Sequence, residues 1–255
     1  MSVTPIPIFN DNYVWKMSSA NNDNIIIVDP GCAKSVLAAL KPNEKICAIL
    51  VTHHHYDHID GLTELKAAFP DVRIYGPDTS KIIEVTHPVT EGDQIKITEL
   101  NLSFKVIGVP GHTLEHVSYF SEPHLFCGDT LFSAGCGRMF EGTPEVFSHS
   151  LSKLLALPNN TLVYCAHEYT LANLAFAQHI EPGNTDIKDH IDKVEKLRAN
   201  HLPSLPALLA TEQKINPFLR TELKSMQERL TQLTQKPATT VAQTFGLLRQ
   251  LKDNF

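Results

Sequence analysis

The sequence predicts a mixed α/β body built in layers, followed by a helical appendage. Three observations carry that expectation. Short apolar, β-branched runs of strand length recur through the first two thirds; helical patterns alternate with them; and after His167 helical spacing alone remains. A boundary is therefore expected at 167/168, giving a body over 1–167 and an appendage over 168–255. With 255 residues, 42% hydrophobic and 20% charged, the chain has the composition of an ordinary globular protein able to bury a full core.

Taken in order, strands are expected over 24–29 (NIIIVD), 46–52 (ICAILVT), 104–109 (FKVIGV), 124–127 and 161–165, and helices over 35–40, 62–69 and 145–157. In the last third, helical patterns cover 169–179, 185–202, 221–235 and 239–251, interrupted by Pro182, Pro203, Pro206 and Pro217. There are no internal repeats and no low-complexity segments.

Charge and cysteine use exclude several classes. A formal net charge of −6 argues against a general nucleic-acid binder, because neutralising phosphates needs a concentrated basic surface. No run approaches the ~18 apolar residues of a membrane span, and the first residues lack a basic start followed by an apolar stretch. The five cysteines (Cys32, Cys47, Cys127, Cys136, Cys165) are scattered without a C-x-x-C pair, which excludes a disulfide framework or zinc ribbon and points to a reducing compartment. The expected location is the cytosol, and no exposed apolar helix stripe argues against a monomer.

Thr52–Gly61 reads T-H-H-H-Y-D-H-I-D-G, directly after a buried-looking strand. A turn that follows a strand can aim alternate side chains at one point. Here His53, His55, Asp57 and His58 offer three imidazoles and a carboxylate, the ligand types of zinc-class metals. Burying so many polar groups unpaired would cost several kcal/mol. Three more residues follow strand-like runs: His112 in V-P-G-H-T, Asp129 in C-G-D-T and His167 in C-A-H-E. Four strand ends carrying ligand-type residues imply one site on one rim. Together they supply two coordination sets, with Asp129 the natural bridge. His54 is expected to alternate outward, and His87, His116, His124, His149, His179, His190 and His201 lack the strand-end setting. Cys127 and Cys165 are expected as small core residues.

T-H-x-H-x-D-H, G-H-T, G-D-T and a final strand-end His resemble the metallo-β-lactamase superfamily, which implies an αββα sandwich with a dinuclear site at one edge. More closely, the chain resembles the type II glyoxalases, or hydroxyacylglutathione hydrolases. The likeness rests on F-N-D-N-Y (9–13), C-G-D-T-L-F-x-A-G-C-G (127–137), C-A-H-E-Y-T (165–170), E-P-G-N (181–184), N-P-F-L-R (216–220) and R-x-x-K-D-x-F (249–255). It implies that His53, His55 and His112 hold one ion, that Asp57, His58 and His167 hold the other, and that Asp129 bridges, with Asp57, His58 and Asp129 nearest the chemistry. It places glutathione contacts at Arg138, Phe140, Tyr169, Arg249 and Lys252. Where the family often has Lys and Tyr, this chain has Arg138 and Phe140; arginine keeps the charge in a different geometry, and phenylalanine lacks a hydroxyl donor.

The implied cofactors are two divalent ions, zinc first, with iron or manganese also suited to His and carboxylate ligands. The implied reaction is hydrolysis of an S-(2-hydroxyacyl)glutathione such as S-D-lactoylglutathione, in methylglyoxal detoxification, with a hydroxide held between the metals as nucleophile. No G-x-S-x-G elbow offers a protein nucleophile. Competing readings are a β-lactam or lactone hydrolase, a mononuclear iron persulfide dioxygenase, a diiron redox protein and a metal-free scaffold. The complete second ligand set and the helical appendage disfavour the first two; His55, where a diiron protein would typically carry Glu, disfavours the third; the intact ligand set disfavours the last.

Overall fold

A computed structural model describes residues 1–255, and the chain divides into two compact units, one of residues 1–108 and 115–128, the other of 109–114 and 129–255. The first unit carries strands β1 (Ser2–Ile8), β2 (Asn12–Ser19), β3 (Asn22–Val28), β4 (Lys45–Leu50), β5 (Arg73–Pro77), β6 (His87–Val89), β7 (Gln94–Ile97), β8 (Leu102–Gly108), β9 (Val117–Ser121) and β10 (His124–Gly128), with helices α1 (Ala33–Ala38), α2 (Tyr56–Ile59) and α3 (Leu62–Ala68).

Strands β1 to β6 form a sheet in sequence order. The first three are antiparallel and β3 to β6 are parallel, so α1 and the α2–α3 segment serve as crossovers. Ile25 and Ile27 of β3 and Ile49 and Val51 at β4 pack with Val36 of α1 and Leu62 and Leu65 of α3 on one face. Ile26, Val28, Ala48 and Leu50 fill the other face and are equally buried. Burial on both faces is why these strands read as unbroken apolar runs rather than alternating ones, each large side chain contributing about 1.5–3 kcal/mol. A register shift between Ile25 and Ile26 absorbs Cys47 without turning the apolar set outward.

Strands β7 to β10 form an antiparallel meander. It lies against the first sheet where the Tyr119 hydroxyl donates to Val51 O at 2.6 Å and the Val117 N–H donates to Thr52 O at 3.0 Å. That bond ties the metal-motif turn to β9. The expected strands and helices of this unit are present. The sequence pattern does not single out β1, whose Pro5 and Pro7 disguise it and suit an edge strand, β2, whose Lys16 is buried against Glu44 and Ala39 O, or the short strands β5, β6, β7 and β9.

In the second unit, β11 (Leu131–Phe132) and β12 (Gly135–Cys136) make a hairpin and β13 (Leu162–Cys165) pairs with β14 (Ala207–Leu208). The helices are α4 (Pro144–Leu155), α5 (Thr170–Ile180), α6 (Thr185–Ala199), α7 (Leu209–Ile215), α8 (Lys224–Thr234) and α9 (Val241–Asp253). Thr143, Asn184 and Thr240 cap α4, α6 and α9 by accepting backbone N–H bonds, as their side-chain chemistry favours. A ladder of rings, Phe147 to Phe245 to Phe218 to Phe176, joins α4, α9, the 217–219 turn and α5 at centroid spacings of 5.3, 5.7 and 6.2 Å. The four helices expected after His167 are observed within a few residues. α7 escaped notice because it is short and flanked by Pro206 and Pro217.

Candidate metal centre

Each unit gathers its own ligand-type side chains. In the first, the chain leaves β4, runs extended through His53 and His55 and closes one turn of helix at Tyr56–Ile59, so that His53, His55, Asp57 and His58 all come from one stretch. His53 and His58 are fully buried with ring centroids 4.1 Å apart, and His53 Nε2 lies 3.0 Å from His55 Nδ1. Asp57 Oδ2 is 3.6 Å from His58 Nε2 and accepts from Asn12 Nδ2 at 2.8 Å.

Behind these side chains sits a carboxylate that sets their tautomers. Asp29 accepts from Thr52 N at 2.7 Å and Thr52 Oγ1 at 2.8 Å, and faces His58 Nδ1 at 3.0 Å. Thr52 Oγ1, its proton committed to Asp29, accepts from His53 Nδ1 at 3.1 Å. These contacts favour the tautomer with Nδ1 protonated and the Nε2 lone pair available in both imidazoles, the arrangement that orients and strengthens metal-binding histidines. Asp29 holds a left-handed backbone (φ 53), a conformation that persists where the surroundings enforce it. Gly31 is required beside it, since a Cβ there would lie 1.8 Å from Asp57 O.

His116, given no role by its sequence setting, is buried and stacks on His53 at 4.5 Å and 16°, its Nδ1 donating to Val117 O at 3.1 Å. His54 is only partly exposed, at 21% of its side chain, and pairs with Glu115, which also meets Lys81 at 3.8 Å.

The second unit centres on Asp129. Its Oδ2 faces His112 Nε2 at 3.4 Å and its Oδ1 faces His167 Nε2 at 3.3 Å, one carboxylate oxygen to each imidazole. His112 Nδ1 donates to Arg138 O at 2.8 Å, which leaves Nε2 as its lone-pair nitrogen. Tyr169 stacks on His167 at 4.6 Å and Phe132 meets both rings edge-on. Gly137 packs on this aspartate, where a Cβ would come within 2.0 Å of Asp129 O. The pairs His53 and His55, Asp57 and His58, and His112 and Asp129 each present ligand atoms within 4.8 Å of one another. Buried imidazoles with fixed lone pairs beside carboxylates fit a borderline divalent cation.

The residues expected to meet substrate all belong to the second unit. Arg138 (67% side-chain exposure) and Phe140 project to solvent, Phe140 edge-on to His112 at 5.2 Å, and Tyr169 is partly exposed. Lys252 lies over the rings of Phe176 and Phe255 at 5.5 and 5.6 Å; burial first, then the Arg249 and Arg138 cations, lower its pKa. Arg249 is 5% exposed. Its Nε and Nη2 reach Asp253 Oδ1 at 3.0 and 2.9 Å, and its Nη1 donates to Cys136 O at 3.0 Å and Gly137 O at 3.3 Å. It therefore grips the loop that carries Arg138. Cys127, Cys136 and Cys165 are buried, and burial pushes the Cys136 thiol up to about 11.

This fold and these clusters define a member of the metallo-β-lactamase superfamily: residues 13–167 match its family model, and residues 168–255 match that of the hydroxyacylglutathione hydrolase C-terminus. The chain is 46% identical to a hydroxyacylglutathione hydrolase of Shewanella pealeana, with all of both chains covered, and 49% identical to one of Aliivibrio salmonicida, with 99% of each covered. It belongs to the hydroxyacylglutathione hydrolase family. Among solved structures, ETHE1 from Myxococcus xanthus shares the fold at 20% identity and a TM-score of 0.68, over 98% of this chain and 91% of that one. The His/Asp clusters on this fold mark a divalent-metal protein. No helix is long and apolar enough to cross a membrane.

Proposed function

We propose that the chain is a dinuclear metal-dependent thioester hydrolase that converts an S-(2-hydroxyacyl)glutathione, with S-D-lactoylglutathione the leading example, to glutathione and a 2-hydroxy acid. Its biological task on this reading is methylglyoxal detoxification in the cytosol, as a monomer. Residues 1–167 form the catalytic domain and 168–255 the helical substrate domain, the same division at which the two family models meet. His53, His55 and His112 hold one ion, Asp57, His58 and His167 the other, and Asp129 is shared. The observation that carries this is the Asp129 carboxylate, which divides its two oxygens between two imidazoles and so suits a bridge. Zinc is the first expectation for both ions, with iron and manganese compatible with the same donors.

Bound divalent ions supply Lewis acidity toward the thioester carbonyl and bring the pKa of water down to about 7. The protein's own part is positional. Asp29, through Thr52 and directly, holds His53 and His58 in the required tautomers. Asn12 fixes Asp57, which orients the attacking water. Arg138 and Lys252 attract the glutathione carboxylates, Phe140 and Tyr169 offer ring faces, and Arg249 shapes the loop beneath them, so that distant contacts hold the acyl carbon in place. Thioester hydrolysis assayed before chelation, after chelation and after adding zinc, iron or manganese back tests the reading. Loss and recovery of turnover are expected; undiminished turnover by demonstrably metal-free protein refutes it.

A further inference from the structure

Glu212, on α7, is completely buried and directs both carboxylate oxygens at the tip of the Leu131–Cys136 hairpin. Its Oε1 accepts from Ser133 Oγ at 2.8 Å and its Oε2 from Ala134 N at 2.7 Å. Asn216, at the end of the same helix, donates through Nδ2 to Glu212 Oε2, Phe132 O and Gly135 O at 3.1, 3.1 and 2.9 Å, and Asn173 donates to Ser133 O at 3.1 Å. Ala134 is held at φ 55, a left-handed conformation that an L side chain adopts only under constraint. An apolar contact would pack a two-stranded turn as well. A fully satisfied buried polar network instead specifies one conformation.

Asp129 stands two residues before the hairpin and Arg138 two residues after. On the exit side no helix or strand begins until Pro144, so Arg138 and Phe140 take their positions from the hairpin, from the Arg249 grip on Cys136 O and Gly137 O, and from His112, whose Nδ1 holds Arg138 O. We propose that Glu212 is a positioning residue for substrate, holding the hairpin in the strained shape that presents Arg138 and Phe140 to the glutathione part of the thioester. The inference rests on the thioesterase reading. The groups that meet the Glu212 carboxylate, Ser133, Ala134 and Asn216, are all neutral, and burial pushes its pKa up to about 7.

The test compares wild type with Glu212→Gln and Ser133→Ala on two probes: S-D-lactoylglutathione, and a short thioester of the same acyl group lacking glutathione. In Glu212→Gln, KM for the glutathione thioester rises about tenfold while kcat, metal content and kcat/KM on the short thioester stay within about twofold. Ser133→Ala, which removes one donor and leaves the carboxylate, shows the same pattern at about two- to threefold and serves if the first variant does not fold. A readout independent of turnover is melting temperature against pH. The folded pKa lies above the free carboxyl value, so wild type loses stability relative to Glu212→Gln as pH rises from about 4.5 to about 7. Unchanged KM, or an equal fall on both probes, overturns the proposal. A wild type inactive on both probes overturns the thioesterase reading instead.

Discussion

The two ligand sets are built in opposite ways. In the first unit, His53, His55, Asp57 and His58 come from one strand-turn-helix stretch, with the buried carboxylate of Asp29 behind His53 and His58 and Asn12 holding Asp57. In the second, His112, Asp129 and His167 come from three separate turns and are organised around the carboxylate in front of them, Asp129. The first is set by local chain geometry and needs support to fix proton positions. The second is set by tertiary structure and depends on its central carboxylate.

That contrast predicts which substitutions hurt most. Asp129→Asn removes the carboxylate proposed to serve both ions, and loss of metal with a fall in kcat of about a thousandfold or more is expected, read by elemental analysis and turnover. Normal metal content with normal turnover would remove its bridging role. Asp29→Asn leaves all seven proposed ligands in place yet disturbs the tautomers of His53 and His58; metal affinity should drop about 10–100-fold in a competition titration. Arg249→Ala should raise KM and lower the unfolding free energy by about 1–3 kcal/mol, because Cys136 O and Asp253 lose a buried partner. Lys252→Ala, by contrast, should raise KM by about three- to tenfold with little change in stability or kcat. A large fall in kcat at constant KM would contradict a positioning role for either cation.

The same asymmetry explains what the sequence made legible. Ligand-type residues packed into six positions stand out, and His112, Asp129 and His167 join them as candidates because each follows an apolar strand run. The supporting residues were not. Asp29 sits in V-D-P-G and resembles any turn aspartate, and its partnership with Thr52 spans 23 positions. His116 lacks the strand-end setting, although a fold stacks it on His53. Helices with capping residues and apolar spacing were recovered closely, whereas β1 was masked by prolines and α7 by its length. Nothing local in Glu212 or Asn216 signals that they grip a hairpin some 80 residues earlier.

The central claim is that the seven proposed ligand side chains together hold a pair of ions, each drawing on both groups, and that both ions are needed for thioester cleavage. Titrating the stripped protein with zinc while following S-D-lactoylglutathione hydrolysis tests it directly. Turnover that saturates at two equivalents per chain, and fails to do so in Asp129→Asn, is the expected result. Full turnover at one equivalent, with no further binding, would contradict it.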